Sequence, residues 1–351
     1  MSTDTSTITA SELRRRAGRL TRVPLGHLPT PLEELPRFSA ALSGPRIFIK
    51  RDDCTGLAFG GNKTRHNEFI LGLAKERGAD MVVWGAGVQS NNCRQTAAAC
   101  ARLGLPIHLV LTKAGHPFEV QGNLLLDYIV GATVEFTDVP LANGFWDVVN
   151  RAAGRFRSTG KKVFCITDPG VRGAAASSYA LALVEMQEQL AERGVEPAAV
   201  YVCSCGSTGA GLFLGKKLLG LPWAIRSIMP IEWPGDNLAY IANIANEAGE
   251  LLGCGRCVDR TDIDATADFI GDGYGVPSSA GMEATRLLAQ TEGILLDPVY
   301  TAKAMAALIA DVRSGRWRRH DNVVFLHTGG TPAVFAYHHE FAAEFSPPSS
   351  S

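Results

Sequence analysis

The chain has 351 residues, 46% of them hydrophobic and 20% charged, and carries a formal net charge of −1. That balance offers no electrostatic footprint for nucleic acid or an anionic membrane surface, and no apolar run approaches the roughly 20 residues that cross a bilayer. Eight cysteines scattered through so long a chain point to reduced thiols in a cytoplasmic enzyme, and away from a disulfide-framed secreted domain.

Met1 to Ala10 is rich in Ser and Thr and lacks an apolar h-region, so no secretory signal is expected there. That stretch and the tail Pro347 to Ser351 have compositions that bury no core and are expected to be disordered. Arg14, Arg15, Arg16, Arg19 and Arg22 read as a surface helix. Ile47-Phe48-Ile49 is a short β-type run, followed by the charged Lys50 to Asp53 and the glycine-rich Gly56 to Gly61. A helix is expected from Thr64 to Lys75, with Lys63 at its mouth behind two glycines. A lysine amine that is partly desolvated and near other cations loses basicity and becomes a nucleophile or Schiff-base partner. The plainer account of any one lysine is a solvated surface.

Next, β-type runs alternate with helix-type stretches. Met81 to Trp84 precedes a helix through Ala97 to Cys100, Ile107 to Leu111 precedes one near Asn123 to Val130, and Thr133 to Phe136 precedes one near Asn143 to Arg157. The repetition predicts a parallel sheet covered on both faces. Between the first strand and its helix lie Ser90, Asn91 and Asn92, three small polar side chains suited to a substrate carboxylate, or in Ser90 simply an N-cap. Val163 to Ile166 is β-like, and Tyr179, Leu183, Met186 and Leu190 form a core stripe on a helix from Ser177 to Arg193.

Ala198 to Cys203 reads as a buried strand running into Gly206-Ser207-Thr208-Gly209-Ala210-Gly211 and then a helix through Leu219. Strand, glycine-rich turn and helix N-terminus together make an anion site. The glycines stand in the reverse order for a dinucleotide fold, and Ala210 and Lys217 break a P-loop. Cys205 breaks a nucleophile elbow around Ser207, which leaves a phosphate cradle for another cofactor or a plain tight turn. Cys254 and Cys257 have C-x-x-C spacing with no second pair to complete a zinc site, so no metal is expected. Tyr274 and Tyr300 each sit in a tight turn beside a helix, and His327-Thr328-Gly329-Gly330 follows the strand Val323 to Leu326.

Gly60-Gly61-Asn62-Lys63-Thr64-Arg65, Gln89-Ser90-Asn91, Gly206-Ser207-Thr208, Tyr274-Gly275-Val276-Pro277, Asp297-Pro298-Val299-Tyr300 and His327-Thr328-Gly329-Gly330 closely resemble the D-cysteine desulfhydrase / 1-aminocyclopropane-1-carboxylate deaminase family. The resemblance spans about residues 25 to 340. It implies an α/β chain of the tryptophan synthase β-like fold (fold type II), with parallel-rich sheets flanked by helices. It also implies a larger cofactor domain over 1–54 and 170–351 and a smaller domain over 55–169 that carries the carboxylate loop.

By the same resemblance Lys63 carries pyridoxal 5'-phosphate as a Schiff base, with the phosphate against Gly206, Ser207, Thr208 and Gly209. Asn91 lies near the ring hydroxyl, while Ser90, Asn91 and Asn92 hold the substrate carboxylate. Lys63, Ser90, Tyr274 and Tyr300 are the implied catalytic set, and a homodimer is the implied assembly. Where the cyclopropane-opening members have a glutamate after the second tyrosine, this chain has Thr301; that residue, or Thr328, then faces the ring nitrogen with a neutral hydroxyl. A weaker electron sink suits β-elimination of a good leaving group, so the expected activity is a deaminating lyase of the desulfhydrase type giving a 2-oxo acid and ammonia. The alternatives are 1-aminocyclopropane-1-carboxylate deamination, cysteate sulfo-lysis, β-replacement and non-catalytic amino-acid binding. His66-Asn67 replaces the family's Lys-Leu, and Cys205 and Gly209 depart from its usual cradle residues.

Overall fold

The structure, a computed structural model, describes residues 7–114 and 119–345. Its strands are β1 Leu32–Glu34, β2 Arg46–Arg51, β3 Met81–Gly87, β4 Ile107–Thr112, β5 Thr133–Thr137, β6 Val163–Cys165, β7 Ala199–Cys203, β8 Ala224–Ile228, β9 Ala265–Thr266 and β10 Asn322–His327. The first seven helices are α1 Ala10–Ala17, α2 Pro36–Leu42, α3 Lys63–Glu76, α4 Asn91–Leu103, α5 Gly122–Ile129, α6 Phe145–Ser158 and α7 Val171–Glu192. The remainder are α8 Ser207–Leu219, α9 Asn237–Leu251, α10 Ser279–Glu292, α11 Thr301–Arg313, α12 Ala333–Ala336 and α13 His338–Phe345.

Two sheets result. One has the order β1-β2-β10-β7-β8-β9 and is parallel except for β1, which pairs antiparallel with β2; the other, β5-β4-β3-β6, is parallel throughout. The central strands are buried on both faces, as near-continuous apolar runs require: Ile47, Phe48 and Ile49 of β2 and Val323 to Leu326 of β10 are all inaccessible. On one face of the larger sheet Phe48, Val200 and Val324 pack with α7 to α9, and on the other Ile47, Tyr201 and Phe325 pack with α10 and α11. The predicted stripe of Tyr179, Leu183, Met186 and Leu190 is buried, and its helix begins earlier than expected, at Val171.

The larger sheet also sets up the lysine. β10 runs parallel to β2 with His327 opposite Arg51, so the segments leaving both strands emerge side by side. There the Asn62 amide donates to the Thr328 carbonyl at 3.0 Å. A Cβ on Gly329 would stand 2.7 Å from the Gly61 Cα, and one on Gly60, at φ 67°, would stand 2.0 Å from the Asp53 carbonyl oxygen. Only glycine permits that approach.

The expectation of disorder through Ala10 is corrected over the described part of that stretch. Ile8 donates its amide to the Leu218 carbonyl at 2.7 Å, and the Thr9 hydroxyl caps α1 by accepting from the Glu12 amide at 3.1 Å. Met1 to Ser6 and the tail Pro347 to Ser351 lie outside the described residues. All eight cysteines are unpaired, and among the described residues no three His, Cys, Asp or Glu side chains gather as a metal site.

Candidate active site

A cavity of about 220 Å³ opens where α3, α4 and α8 begin, walled by Asn62, Lys63, Ser90, Asn91, Asn92, Gly206, Ser207, Thr208, Tyr274, Tyr300 and Thr328 among others. Three of these groups lie at or just before helix starts, where amides have no intrahelical acceptor and the dipole is positive.

Lys63 is the first residue of α3, and its amine takes part in no hydrogen bond or ion pair among the described residues. Burial pushes it down to about 8, with the neighbouring Cys205 and Cys203 opposing that only in part. The Cys205 thiol, against the same cavity, is itself pushed up to about 11 by burial and stays neutral.

At α8 the N-cap residue is Gly206, which has no side chain to cap the helix. The Gly209 amide donates to Ser204 Oγ at 2.9 Å, which leaves the Ser207 and Thr208 amides without an acceptor among the described residues. Gly209 is therefore behind the cavity wall and not on it; a Cβ there would press on Ser227 Oγ at 2.9 Å. Thr208 Oγ1 accepts from Asn62 Nδ2 at 2.9 Å and lies 3.1 Å from His66 Nε2. The His66 tautomer sets which of these two groups donates to the other. Burial, then the charge of Lys63, holds that imidazole far below its usual range, so it is neutral and able to accept. The polar departure at position 66 thus finds a buried partner in the cradle, and Asn67 Oδ1 likewise accepts from Thr96 Oγ1 at 3.2 Å.

Ser90 does cap α4, accepting from the Asn92 and Cys93 amides at 3.1 and 3.2 Å. It also lines the cavity, so the capping role and the site role coincide. Asn91 Oδ1 accepts from Asn123 Nδ2 at 3.1 Å and from Arg94 at 3.3 Å, which fixes its amide with the NH2 as the group left to donate into the cavity. Arg94 belongs to none of the motifs read from the sequence. It is fully buried and donates to Asn123 Oδ1 at 2.6 Å, to the Gly60 carbonyl at 3.1 Å and to the Ala58 carbonyl, tying the lysine loop to the carboxylate loop. Its one sequence signal is a cation a turn after Asn91, early in a helix rich in small residues.

Tyr274 and Tyr300 meet with hydroxyls 2.5 Å apart and rings nearly perpendicular, and burial raises both phenols so that each stays protonated. Buried Lys303 of α11 holds the turn before Tyr274, donating to the Ile270 and Gly273 carbonyls at 2.6 and 2.8 Å. Of the two threonines expected near the ring nitrogen, Thr328 lines the cavity and Thr301 does not. The Thr301 hydroxyl donates to Asp297 Oδ1 at 2.6 Å and accepts from the Asp297 amide at 2.8 Å.

The family model described as pyridoxal-phosphate dependent enzyme matches residues 23–329. This chain belongs to that family. It is 38% identical to the D-cysteine desulfhydrase of Klebsiella pneumoniae (strain 342) over 326 residues, 91% of this chain and 97% of that one. The crystal structure of an ACC deaminase homologue superposes with a TM-score of 0.86 at 31% identity, covering 95% of this chain and 99% of the other. Diaminopropionate ammonia lyase from Escherichia coli shares the fold at a TM-score of 0.66 and 17% identity, over 98% and 94% of the two chains. The fold is thus the fold type II expected from the sequence, and the enzyme is pyridoxal-phosphate dependent. Its cavity fits that cofactor: a neutralisable lysine amine with no partner stands in the same wall as two bare amides at the α8 terminus.

Proposed function

We propose that the enzyme is a deaminating lyase of the D-cysteine desulfhydrase type, removing the β-substituent of a small amino acid to give a 2-oxo acid and ammonia. The observation that carries this reading is one cavity wall holding Lys63, the Ser90–Asn92 loop and a hydrogen-bonded pair of protonated tyrosines. The 38% identity to a D-cysteine desulfhydrase over 97% of that chain supports it.

Pyridoxal phosphate, when bound, supplies the electron withdrawal that loosens the bonds at the substrate Cα. The protein's own groups do the rest. The Ser207 and Thr208 amides would hold the phosphate, with the Thr208 side chain fixed by Asn62 and His66. Ser90, Asn92 and the Asn91 NH2 orient the substrate carboxylate at the positive end of α4. Lys63, with its amine pushed down to about 8, takes the Cα proton. The Tyr274–Tyr300 pair, kept protonated, hands a proton toward the departing sulfur, and Thr328 offers the ring nitrogen a neutral hydroxyl in place of a carboxylate. For cysteine the products are sulfide, pyruvate and ammonia.

Incubation of the holoenzyme with D-cysteine, L-cysteine and 1-aminocyclopropane-1-carboxylate tests this, with the 2-oxo acid identified by mass. Pyruvate from one hand of cysteine is expected; 2-oxobutyrate from the cyclopropane acid would reassign the enzyme as a ring-opening deaminase.

The division into a larger unit over 1–54 and 170–351 and a smaller one over 55–169 is part of this proposal, supported by the two separate sheets. A cytoplasmic homodimer completes it. Eight unpaired cysteines and the lack, among the described residues, of a helix long and apolar enough to cross a membrane support the compartment. Exposed Leu125, Tyr128 and Ile129 on α5 support self-association, and a monomer by sedimentation at micromolar concentration would refute it.

A further inference from the structure

Beside the polar groups already assigned, the cavity has a second kind of wall. Leu141 and Trp146 come from the loop after β5 and the start of α6, Ile166 from the end of β6, and Ile231, Trp233 and Tyr240 from the loop after β8 and the start of α9. All six are half-buried, so each keeps surface to offer a ligand. The two indoles are also held in place. The Trp146 ring stands edge-on to Phe145 at 5.1 Å; the Trp233 amide donates to Asn237 Oδ1 at 2.8 Å, and Asn237 Nδ2 returns a bond to the Trp233 carbonyl at 3.0 Å.

Among the described residues the cavity lining contains no Arg, His, Asp or Glu, and Lys63 is its one charged side chain. The nearest cation on α7, Arg172, lies 5.5 Å over the outer Tyr240 ring and is paired with Glu247 at 2.7 Å, outside the lining. A sulfonate, phosphate or second carboxylate on the substrate side chain would enter without a counter-ion, and an ammonium without an anion; either is costly to desolvate. An apolar group meets two indoles, a phenol ring and three aliphatic side chains.

Resting on the lyase reading, we propose that the preferred substrates are S-alkyl and S-aryl cysteines, whose β-substituent is uncharged and apolar. The reaction balances as RS–CH2–CH(NH3+)–COO− plus water giving RSH, pyruvate and NH4+. The Cα–H bond gives up its proton to a base, the Cβ–S bond breaks with its electron pair on sulfur, and sulfur takes a proton. Water then converts the enamine product to the 2-oxo acid with release of ammonium, with no external oxidant or reductant.

The test presents the holoenzyme with both hands of S-benzylcysteine, cysteine and cysteate, following 2-oxo acid and, for the thioether, released thiol. A parallel titration follows the cofactor absorbance for binding. For the accepted hand, kcat/KM for S-benzylcysteine is expected about tenfold or more above cysteine, with cysteate lowest. Trp146→Ala is expected to cut the benzyl-to-cysteine ratio by about tenfold, and Leu141→Arg to raise cysteate relative to cysteine. Pyruvate from cysteine with none from S-benzylcysteine overturns the inference and leaves the lyase reading standing, as does cysteate ranking first. If no compound yields a 2-oxo acid the lyase reading fails, and the titration still judges the pocket: S-benzylcysteine binding no tighter than cysteine overturns it.

Discussion

At Lys63 the fold places an amine in a buried wall among neutral neighbours. Desolvation favours the neutral form, the Cys203 and Cys205 thiols offset this little, and no carboxylate is near enough to restore the charge. The sign is definite: below about pH 8 the amine holds its proton and cannot attack a carbonyl, and above it the neutral fraction approaches one. For enzyme stripped of cofactor, the rate of pyridoxal-phosphate capture is therefore expected to rise through about pH 8 and then level. Rapid-mixing absorbance from about pH 6 to about pH 10 reads this directly, and a rise centred near the ordinary lysine value of about 10.4 would show the amine to be solvated. Lys63→Ala is the control and captures nothing.

The elements that meet at the cavity are held together by groups that touch no ligand. Arg94 on α4 is the main one, since its guanidinium reaches the carbonyls of Ala58 and Gly60 and the side chains of Asn91 and Asn123 at once. The loop it secures contains Ala58 and Phe59 at φ 44° and 68°, left-handed values that L-residues adopt at a cost. Arg94→Met keeps the side-chain length and removes every one of these donors, leaving buried carbonyls bare. A loss of about 3 kcal/mol in unfolding free energy is expected, with a raised KM for the amino acid because Asn91 is no longer oriented. A calorimetric scan and substrate kinetics check both, and an unchanged KM would show that Asn91 is oriented by Asn123 alone.

Across the whole molecule, the cavity depends on α3 staying docked to the larger sheet and to α7. A buried charge cluster does this: Arg65 of α3 bonds Asp52 at 2.9 Å and Glu185 of α7 at 2.7 Å, Lys50 of β2 bonds Glu185 at 2.5 Å, and Tyr179 donates to Asp52 at 2.5 Å. Burial works against the Glu185 carboxylate, but Arg65 and then Lys50 outweigh it and hold it at about 2. Lys50 itself stays below its ordinary value, since burial costs that ammonium more than its partners return. The net gain therefore lies with the carboxylate and chiefly with Arg65. A carboxyl lowered in the folded state stabilises above its unfolded pKa and loses that contribution as pH falls toward the folded one. Glu185→Gln is expected to cost about 3 kcal/mol at neutral pH, the gap from the parent closing between about pH 4.5 and about pH 2. Urea titrations across that range measure it, and a gap independent of pH would mean that packing, not charge, is lost.

The amino-acid sequence by itself determined what local pattern encodes. The alternation of apolar runs with helical stretches made parallel strands with covered faces, the glycines before Lys63 and Ser207 marked helix mouths, and the family's motifs named the cofactor. It did not determine which polar side chain is spent on another. Thr301 and Thr328 look equivalent as neutral hydroxyls, yet Asp297, four residues before one of them, accepts its hydrogen bond, and the β2–β10 register delivers the other to the cavity. His66 and Asn67 read as misfits in an apolar contact until α8 and α4 supply Thr208 and Thr96. The apolar wall gathers residues from Leu141 to Tyr240 on elements that no periodicity links. Tertiary structure decided these matters because hydrogen-bond partners and cavity walls are set by distances between segments far apart in the chain, and local spacing carries no information about those distances.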